Sequence, residues 1–271
     1  MSHLIVEKRG HALWLTFNRP EAYNSVSTEM YCQLIDAWHM LKDDNDLRVA
    51  VMTGAGDKAF SSGGDLKQFA PLLTGAAQPQ NDWDRRALKA RASGQTGWPK
   101  EPVGQIMPKP VIAAVNGGAY AGGCELVLAC DIRIASTNAK FGLLEVQRGL
   151  VPGGGAMVRL PRQIPYCIAM EMLMTGRKLT AEEALAAGLI NRVVAPDQLL
   201  RETEKVVEAI VNSAPLAVQA VKKTALQTSG LSLSDAFAVE RQNVVLVEQS
   251  EDAREGPRAF AEKRPARFTG R

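Results

Sequence analysis

Short apolar runs in the N-terminal part of the chain repeatedly end in glycine-rich turns, and this pattern constrains the fold more than any other feature. Val49–Met52 ends in the turn Thr53–Gly56, and Val111–Val115 ends at Asn116–Gly118. A third run of this kind is Ile132–Ala135. Short apolar runs bounded by glycine are typical of buried strands. Strands that leave into such loops and alternate with helices predict an α/β fold, built as a spiral or as layers.

The first 41 residues predict a hairpin followed by a helix. Leu4–Lys8 and Ala12–Phe17 flank the turn Arg9-Gly10, which favours two paired strands. A helix is predicted from about Ser27-Thr28, because Glu29 follows this pair as it often does in a first helical turn. Its buried face is expected to carry four apolar residues at helical spacing: Met30, Leu34, Trp38 and Leu41.

After about residue 200 the pattern becomes helical. Three runs have apolar residues at helical spacing: Leu199–Val211, Leu216–Gln227 and Ala236–Val247. We therefore predict an α/β core over residues 1–200 and a helical region over residues 201–271. These helices carry more apolar surface than they can bury alone, which predicts packing onto the core or onto another subunit.

The segment Pro71 to Pro108 is rich in glycine and proline and predicts a long loop. Loops of this length are either functional or partly mobile. A surface insertion and a lid over the substrate both remain open at this stage.

Composition excludes several classes of protein. The chain has 271 residues, 46% of them hydrophobic, which is enough for one large buried core. Its 32 Lys and Arg against 29 Asp and Glu leave a net charge of +3, too balanced to predict a nucleic-acid partner. No apolar leader or membrane-spanning run is present, so no membrane partner is expected. The cysteines show no paired motif and predict buried thiols in a cytoplasmic protein: Cys32, Cys124, Cys130 and Cys167.

Two glycine pairs could present backbone N–H groups to a ligand. Gly63-Gly64 lies downstream of a predicted strand, and Gly122-Gly123 stands just before a predicted helix over Leu126–Ala129. Glycine leaves the backbone uncovered, and a helix N-terminus carries free N–H groups with partial positive charge. Two such donors converging would form an oxyanion hole. The alternative is that both pairs are only tight turns.

Two glutamates lie beside these glycine-rich turns. Glu125 is expected in the first turn of the predicted helix, and Glu145 is charged among apolar neighbours. Taken alone, Glu125 could be only a helix-start acid, and Glu145 could be either a solvent-facing loop residue or a carboxylate with a raised pKa. Together they could move protons beside a carbonyl whose oxygen becomes negative. The histidines all fall within the first 39 residues, away from the glycine turns, and no metal motif is present.

The chain resembles the crotonase (enoyl-CoA hydratase/isomerase) superfamily from Asn18 to Arg264, which is nearly its whole length. The most specific stretches are A-F-S-S-G-G-D-L-K (Ala59 to Lys67) and the run from Lys109 to Leu126 that includes N-G-G-A-Y-A-G-G-C-E. C-D-I-R-I-A-S (Cys130 to Ser136) and the run from Leu179 to Val194 add further matches. The resemblance implies a crotonase-like spiral of repeated ββα units with a C-terminal helical oligomerisation region.

The resemblance also implies a site. The N–H groups of Gly64 and Gly122 would form the oxyanion hole for a thioester carbonyl, and Glu125 and Glu145 would be the two catalytic glutamates of the hydratase branch. Further substrate contacts are implied for Ser62, Asp65, Leu66, Gly153, Phe260 and Lys263. Among these, Gly153 would help to hold the water-binding loop. Phe260 and Lys263 would approach the adenine and phosphates of coenzyme A across a subunit boundary, with a solvated basic tail as the alternative for Lys263.

The expected function is that of an enoyl-CoA hydratase, which adds water reversibly to a 2-enoyl-CoA. The expected partner is the acyl-CoA thioester, with no metal and no cofactor besides the coenzyme A of the substrate, in a homotrimer or a hexamer. The alternatives are a Δ3-Δ2 enoyl-CoA isomerase, a hydratase of carnitinyl-CoA or aromatic enoyl-CoA type, and a non-catalytic binding member. Three departures from the family pattern bear on the substrate: Leu143-Leu144 before Glu145, Ala156 in place of a glycine, and the long Pro71 to Pro108 segment.

Overall fold

The computed structural model describes residues 2–98 and 107–271, and it contains two β-sheets surrounded by helices. The strands are β1 (Leu4–Arg9), β2 (Ala12–Phe17), β3 (Val49–Gly54), β4 (Ala59–Ser61), β5 (Val111–Val115), β6 (Gly118–Tyr120), β7 (Ile132–Ser136), β8 (Lys140–Gly142), β9 (Lys178–Thr180) and β10 (Arg192–Val194). A six-stranded sheet has the order β1-β2-β3-β5-β7-β10, and a four-stranded sheet has the order β4-β6-β8-β9.

The helices lie between and after these strands. They are α1 (Thr28–Asp43), α2 (Phe69–Thr74), α3 (Asp82–Ala92), α4 (Gly122–Leu128), α5 (Ala156–Gln163), α6 (Tyr166–Thr175), α7 (Ala181–Ala186), α8 (Leu199–Val211), α9 (Pro215–Thr228), α10 (Leu233–Glu248) and α11 (Glu251–Ala261).

The strands repeat as pairs that are shared between the two sheets. In each of the pairs β3–β4, β5–β6 and β7–β8, the first strand joins the six-stranded sheet and the second joins the four-stranded sheet. Strands β3, β5 and β7 run parallel in one sheet, and β4, β6 and β8 run parallel in the other. A helix follows each pair, so the predicted spiral of ββα units is confirmed.

Alternating side chains of the large sheet enter two separate cores. On β2, Leu13 and Leu15 face the main core, whereas Trp14 faces a smaller cluster on the other side. Successive strand residues point to opposite faces, so both faces of this sheet are apolar and buried. The smaller cluster is closed by α8, which packs Val207 and Ile210 against it.

The predicted elements at the N-terminus are confirmed. Strands β1 and β2 pair antiparallel with Leu4 opposite Phe17. Ser27 caps α1, its hydroxyl accepting a hydrogen bond from the Met30 N–H at 3.2 Å. Such a cap stabilises a helix by about 1 kcal/mol. All four residues of the expected apolar face of α1 are buried: Met30, Leu34, Trp38 and Leu41.

The prediction of one long loop from Pro71 to Pro108 is wrong, because α3 and most of α2 lie within it. Asn81 caps α3 by accepting a hydrogen bond from the Asp84 N–H at 2.9 Å. The buried hydroxyl of Thr28 donates to Asp84 Oδ1 at 2.7 Å and thereby ties α3 to α1. The glycines and prolines of this segment lie outside α3. Because they flank the helix on both sides, their turn signals led to the prediction of a loop for the whole segment. Residues 99–106 lie outside the described part, and the lid stays a prediction.

The three C-terminal runs are helical as predicted. Helix α8 packs on the large sheet, and α9 packs on α10. Several apolar side chains in this region are exposed: Val221, Leu233, Phe237, Leu246 and Phe260. The boundary near residue 200 stays a prediction.

Two further findings concern the whole chain. Cys32, Cys124 and Cys130 are buried free thiols, but Cys167 on α6 is exposed, so the prediction of four buried thiols is wrong for Cys167. Cys167 belongs to a short helix whose outer face meets solvent, which the lack of a paired motif could not reveal. Among the described residues, no helix is both long and apolar enough to cross a membrane.

Candidate active site

The two glycine pairs lie against each other in the fold. A Cβ atom built on Gly63 would lie 2.6 Å from the backbone N of Gly122 and 3.1 Å from Ala121 Cβ. Gly63 also has a φ of +85°, which side chains other than glycine rarely adopt. Only glycine at this position allows the loop after β4 to touch the start of α4. The structure therefore brings the neighbourhoods of Gly64 and Gly122 together.

The Gly122 N–H is aimed out of the N-terminus of α4. The carbonyl of Ala121, which belongs to the same peptide unit, accepts a hydrogen bond from the Glu125 N–H at 3.0 Å inside the helix. Because C=O and N–H point in opposite directions across a trans peptide, the Gly122 N–H points away from the helix. No acceptor for it is found among the residues that the structure describes.

Ala121 carries backbone strain beside this amide. Its φ of 48° and ψ of −127° are rare for a residue with a side chain. Its N–H donates to the Gly142 carbonyl at 2.8 Å, which ties the strained residue to the end of β8. Strain of this kind costs about 1–3 kcal/mol and persists only where neighbouring contacts hold it.

The Gly64 N–H is oriented by the same principle. The Gly63 carbonyl accepts from the Val26 N–H at 2.8 Å, and the Asp65 N–H donates to the Val26 carbonyl at 3.0 Å. The Gly64 N–H therefore faces away from Val26. It also has no acceptor within the described ranges. The direction of each predicted donor is thus fixed by a hydrogen bond to the carbonyl of the same peptide unit, that of Ala121 for Gly122 and that of Gly63 for Gly64.

Asp65 holds the loop that carries Gly64. Its Oδ2 forms an ion pair with Arg19 at 2.9 Å, and its Oδ1 accepts from the N–H groups of Lys67 and Gln68. Burial alone would raise the pKa of Asp65, but these hydrogen bonds hold it below its usual value. Both oxygens of the Asp65 carboxylate are thus bound by groups of the protein itself. Leu66 beside it is exposed, and the half-buried Ser62 donates its N–H to the Tyr23 carbonyl at 3.0 Å.

Glu125 is buried in the first turn of α4, as predicted. Its side chain is only 4% exposed, and Oε1 accepts a hydrogen bond from the Ala156 N–H at 3.1 Å. Ala156 is the first residue of α5, so the N-terminus of a second helix faces this carboxylate. A carboxylate at a helix N-terminus is electrostatically favoured. Glu125 is therefore fixed between two helix N-termini.

Glu145 opens a 3-10 helix over Glu145–Arg148, just after β8. Its Oε2 is buried and has no hydrogen-bond partner among the described residues. The pKa of Glu145 is raised from 4.5 to about 7, chiefly by burial and also by the nearby charge of Glu125, against the lowering effects of its own N–H and of Arg148. Of the two expectations for Glu145, the structure supports the carboxyl group with a raised pKa.

The two glutamates share one electrostatic neighbourhood. Besides the effect of Glu125 on Glu145, both carboxylates act on the thiol of Cys124, which precedes Glu125 in α4. Burial raises the pKa of Cys124 to about 12, and the charges of Glu145 and Glu125 contribute to the increase. This thiol is therefore inert at neutral pH.

A tight glycine turn lies against Glu125. A Cβ atom on Gly154 would lie 2.6 Å from Glu125 Cδ, so Gly154 leaves no room for a side chain. A Cβ atom on Gly153 would meet nothing closer than the Val151 carbonyl at 3.8 Å. The contact that requires glycine next to the carboxylate is thus at Gly154, one residue after the predicted Gly153.

The two predicted coenzyme A contacts lie at the end of α11. Phe260 is 87% exposed, and Lys263 follows the helix with a φ of 54°. Phe260 is thus a large apolar side chain that meets solvent in this single chain. The roles of both residues stay predictions.

Reading the sequence alone missed Gly154 and Arg19, and it did not predict the contacts that Gly63 and Ala156 make. Gly154, Ala156 and Gly63 shape the site through backbone contacts, and Arg19 fixes Asp65. Glycine runs and the Asn18-Arg19-Pro20 motif were visible signals, but the contacts join residues far apart in the chain. A search of the described residues for His, Cys, Asp and Glu groups that could hold a metal ion finds none.

Comparisons with known proteins identify the family of this chain. The family model described as enoyl-CoA hydratase/isomerase matches residues 7–271. The enoyl-CoA hydratase EchA19 of Mycobacterium tuberculosis is 42% identical over 267 residues, which cover 98% of this chain and 96% of that protein. The (E)-benzylidenesuccinyl-CoA hydratase of Thauera aromatica is 40% identical over 265 residues, which cover 98% of each protein.

A solved structure shows the same fold. The crystal structure of an enoyl-CoA hydratase from Mycobacterium tuberculosis H37Rv matches with a TM-score of 0.84 and 38% identity, covering 100% of both chains. The predicted superfamily and the predicted hydratase enzyme are confirmed by these matches. This chain therefore belongs to the enoyl-CoA hydratase/isomerase family.

Proposed function

We propose that this protein adds water to the C2–C3 double bond of a 2-enoyl-CoA, and catalyses the reverse dehydration, with Glu125 and Glu145 as the catalytic acids. One observation carries the proposal: two electrostatically coupled carboxyl groups lie beside two oriented backbone N–H groups. This combination fits a reaction in which a thioester oxygen becomes negative while protons move two bonds away.

The first step is polarisation of the thioester. Its carbonyl oxygen accepts hydrogen bonds from the N–H groups of Gly64 and Gly122, which draws electron density from C3 toward the oxygen. Because both amides are held from behind by Val26 and Glu125, they need no rearrangement when the charge develops. A preorganised donor of this kind lowers a barrier by about 3–4 kcal/mol.

The second step is attack by water. Glu145 Oε2 has no protein partner within the described residues and is suited to hold a water molecule. Glu125, fixed by Ala156, is the second holder of this water. As the water oxygen bonds to C3, one water proton passes to Glu125 and leaves a hydroxyl group on the substrate.

The third step is protonation of C2. The raised pKa of Glu145, about 7, keeps much of this group protonated at neutral pH, so it can supply the proton that converts the enolate to the product thioester. Glu125 then holds a proton and Glu145 is ionised. The pair returns to its starting state when this proton passes between the coupled carboxyl groups through water.

The test is turnover of a panel of CoA thioesters by the purified protein. Crotonyl-CoA, a longer enoyl-CoA and an aromatic enoyl-CoA are each followed at the absorbance of the enoyl-thioester band, with the product identified by mass. We expect loss of the band and a gain of one water for at least one of them. No loss with any thioester that measurably binds would contradict hydration and favour isomerisation.

A second candidate is a hydratase of a more specialised 2-enoyl-CoA. The 40% identity to a protein named (E)-benzylidenesuccinyl-CoA hydratase favours it, because that identity spans 98% of both proteins. Both candidates use the same two carboxyl groups, and the aromatic thioester in the panel separates them.

We further propose a homotrimer or a dimer of trimers working in the cytoplasm. The exposed apolar side chains of α9 and α10 support assembly, since monomeric proteins rarely expose so many in one region. Packing of a second subunit against α11 would also cover Phe260 and bring it and Lys263 toward coenzyme A. The free thiols support a reducing compartment.

A further inference from the structure

Trp98 lies against the oxyanion-hole residue Gly122. Its indole N–H donates a hydrogen bond to the Gly122 carbonyl at 2.7 Å. A Cβ atom on Gly122 would lie 2.6 Å from Trp98 Cζ2, so the ring occupies the space where a side chain would begin. The indole thus holds Gly122 both by a hydrogen bond and by direct contact.

Helix α1 anchors the segment that carries Trp98. The Trp38 indole donates to the Gly97 carbonyl at 2.9 Å, and the Tyr31 hydroxyl donates to the Gln95 carbonyl at 3.2 Å. The Tyr31 ring also packs on the Trp98 ring with centroids 5.5 Å apart. A side chain on Gly97 would collide with Tyr31, so this backbone lies directly on the helix. The position of Trp98 is therefore set by buried groups of α1.

The row of aromatic rings reaches both predicted oxyanion residues. Tyr31 packs on Phe69 with ring centroids 5.0 Å apart, and Phe69 Cδ1 is the nearest atom to a Cβ built on Gly64, at 3.9 Å. Trp98 is at the Gly122 end of the row, and Phe69 is at the Gly64 end. The two loops that supply the N–H groups thus share one aromatic support.

We propose that Trp98 is a positioning residue that keeps the Gly122 N–H aimed at the thioester oxygen, an inference that rests on the proposed function. The strained peptide of Ala121 needs restraint from its surroundings, and release of Gly122 would let the first turn of α4 relax. The Trp98 indole restrains the next peptide unit through the Gly122 carbonyl. Loss of that hydrogen bond would weaken the oxyanion hole without removing any group that touches the substrate.

The test is Trp98→Phe, which keeps an aromatic ring and removes the N–H donor. We expect kcat for enoyl-CoA hydration to fall about tenfold, because loss of the hydrogen bond that holds Gly122 weakens one oxyanion donor, with KM within about twofold of wild type. The matched control is Trp83→Phe. Trp83 lies on α3, is 37% exposed and packs under Arg86, so this variant is expected to keep wild-type kcat.

A second readout reports on the oxyanion hole itself. Acetoacetyl-CoA loses a proton from C2 to give an enolate whose oxygen would bind the two N–H groups, and the enolate is followed by its absorbance. We expect the apparent pKa of the bound thioester to be about one unit higher in Trp98→Phe than in wild type, since one unit corresponds to tenfold. A purely structural role would lower thermal stability but leave this pKa unchanged.

Each outcome decides the inference. A kcat within twofold of wild type, or a loss of kcat with an unchanged enolate pKa, would overturn it. The enolate readout needs only binding, so it still tests Trp98 if the wild-type protein hydrates no enoyl-CoA and the proposed function fails. Trp98→Ala is expected to lose more activity than Trp98→Phe, and the phenylalanine variant keeps the test valid if the alanine variant does not fold.

Discussion

The two carboxyl groups proposed to be catalytic, Glu125 and Glu145, lie in contrasting surroundings. Around Glu125 the packing is complete: the side chain is 4% exposed, accepts from Ala156 and touches the Gly154 turn. Around Glu145 a buried oxygen lacks a partner among the described residues, and the pKa is raised to about 7. The Glu125 carboxylate is hydrogen-bonded within the fold, whereas Glu145 Oε2 has no partner among the described residues and, in the proposed mechanism, is left for substrate and water. The proposed mechanism therefore combines one acid that is held rigidly with one acid whose oxygen has no protein partner among the described residues.

Gly122 and Gly64, the two proposed oxyanion residues, show the same contrast. Gly122 is enclosed by Trp98, whereas the nearest atom to a Cβ on Gly64 is Phe69 Cδ1 at an ordinary contact distance of 3.9 Å. The enclosed elements, Gly122 and Glu125, both belong to α4. The open ones belong to the loop after β4 and to the 3-10 helix after β8. Helix α4 thus carries the two tightly packed residues, whereas the two less enclosed residues, Gly64 and Glu145, lie on neighbouring loops.

The largest expected effect is loss of either carboxyl group. Glu125→Gln and Glu145→Gln each keep the size of the side chain but remove its acid–base function. We expect kcat to fall by about a factor of 10³ in each variant, with little change in the dissociation constant of a CoA thioester. Steady-state kinetics and calorimetry check both numbers. Near-wild-type turnover in either variant would refute a two-acid mechanism.

The next effect concerns the turn against Glu125. Gly154→Ala is expected to push the Glu125 carboxylate out of position and to lower kcat by about 10–100-fold, since small misplacements at a reacting centre are costly. Gly153→Ala, the matched substitution in the open neighbouring position, is expected to lose less than about threefold. Equal losses in the two variants would show that the close contact at Gly154 does not matter.

A smaller effect should appear in stability when alanine replaces the oxyanion glycines. Gly122→Ala forces a methyl group into the Trp98 ring and is expected to lower the free energy of unfolding by about 1–3 kcal/mol. Gly64→Ala meets no such contact and should unfold within about 0.5 kcal/mol of wild type. Urea denaturation of both variants measures the difference. A less stable Gly64→Ala than Gly122→Ala would reverse the proposed contrast.

The smallest expected effect is a gain in stability. The pKa of Glu145 is raised in the folded state from 4.5 to about 7, so folding favours its neutral form, and the stability that this gives is lost as the pH rises from about 4.5 to about 7. Glu145→Gln should therefore be more stable than wild type at pH 8.5 by roughly 1–2 kcal/mol after allowance for solvent screening, with no gain at pH 4.5.

The control for this effect is Glu21→Gln, since Glu21 is an exposed carboxylate. We expect its stability to follow wild type at both pH values. If Glu145→Gln is no more stable than wild type at pH 8.5, the ionised Glu145 carboxylate does not destabilise the fold, and the contrast with Glu125 is wrong on this point.

The sequence was informative where neighbouring residues decide the structure. Ser27 before an apolar period predicts the start of α1, and glycines after Val115 predict the turn that leads to β6. The pair Glu125 and Glu145 was recognisable because each stands in a glycine-rich motif. These features depend on local hydrogen bonds and on the spacing of apolar residues and glycines over a few positions.

The rest depends on contacts between distant residues. Helix α3 was hidden because its capping residue Asn81 stands among glycines and prolines, and its tie to Thr28 spans 56 positions. The requirement for glycine at Gly154 rather than Gly153 arises from where the Glu125 carboxylate lies. Likewise, nothing near Trp98 in the sequence indicates that it reaches Gly122. Only the fold brings these partners together.

The most direct test of the account is a double-mutant cycle on the two acids. Hydration rates are measured for wild type, Glu125→Gln, Glu145→Gln and the double variant with the same enoyl-CoA. If both carboxyl groups hold one water, with Glu125 taking its proton and Glu145 protonating C2, the double variant should be about as slow as either single variant, as for groups that act as a unit. A double variant slower than either single one by the full product of their effects would show two independent contributions and would contradict the shared mechanism.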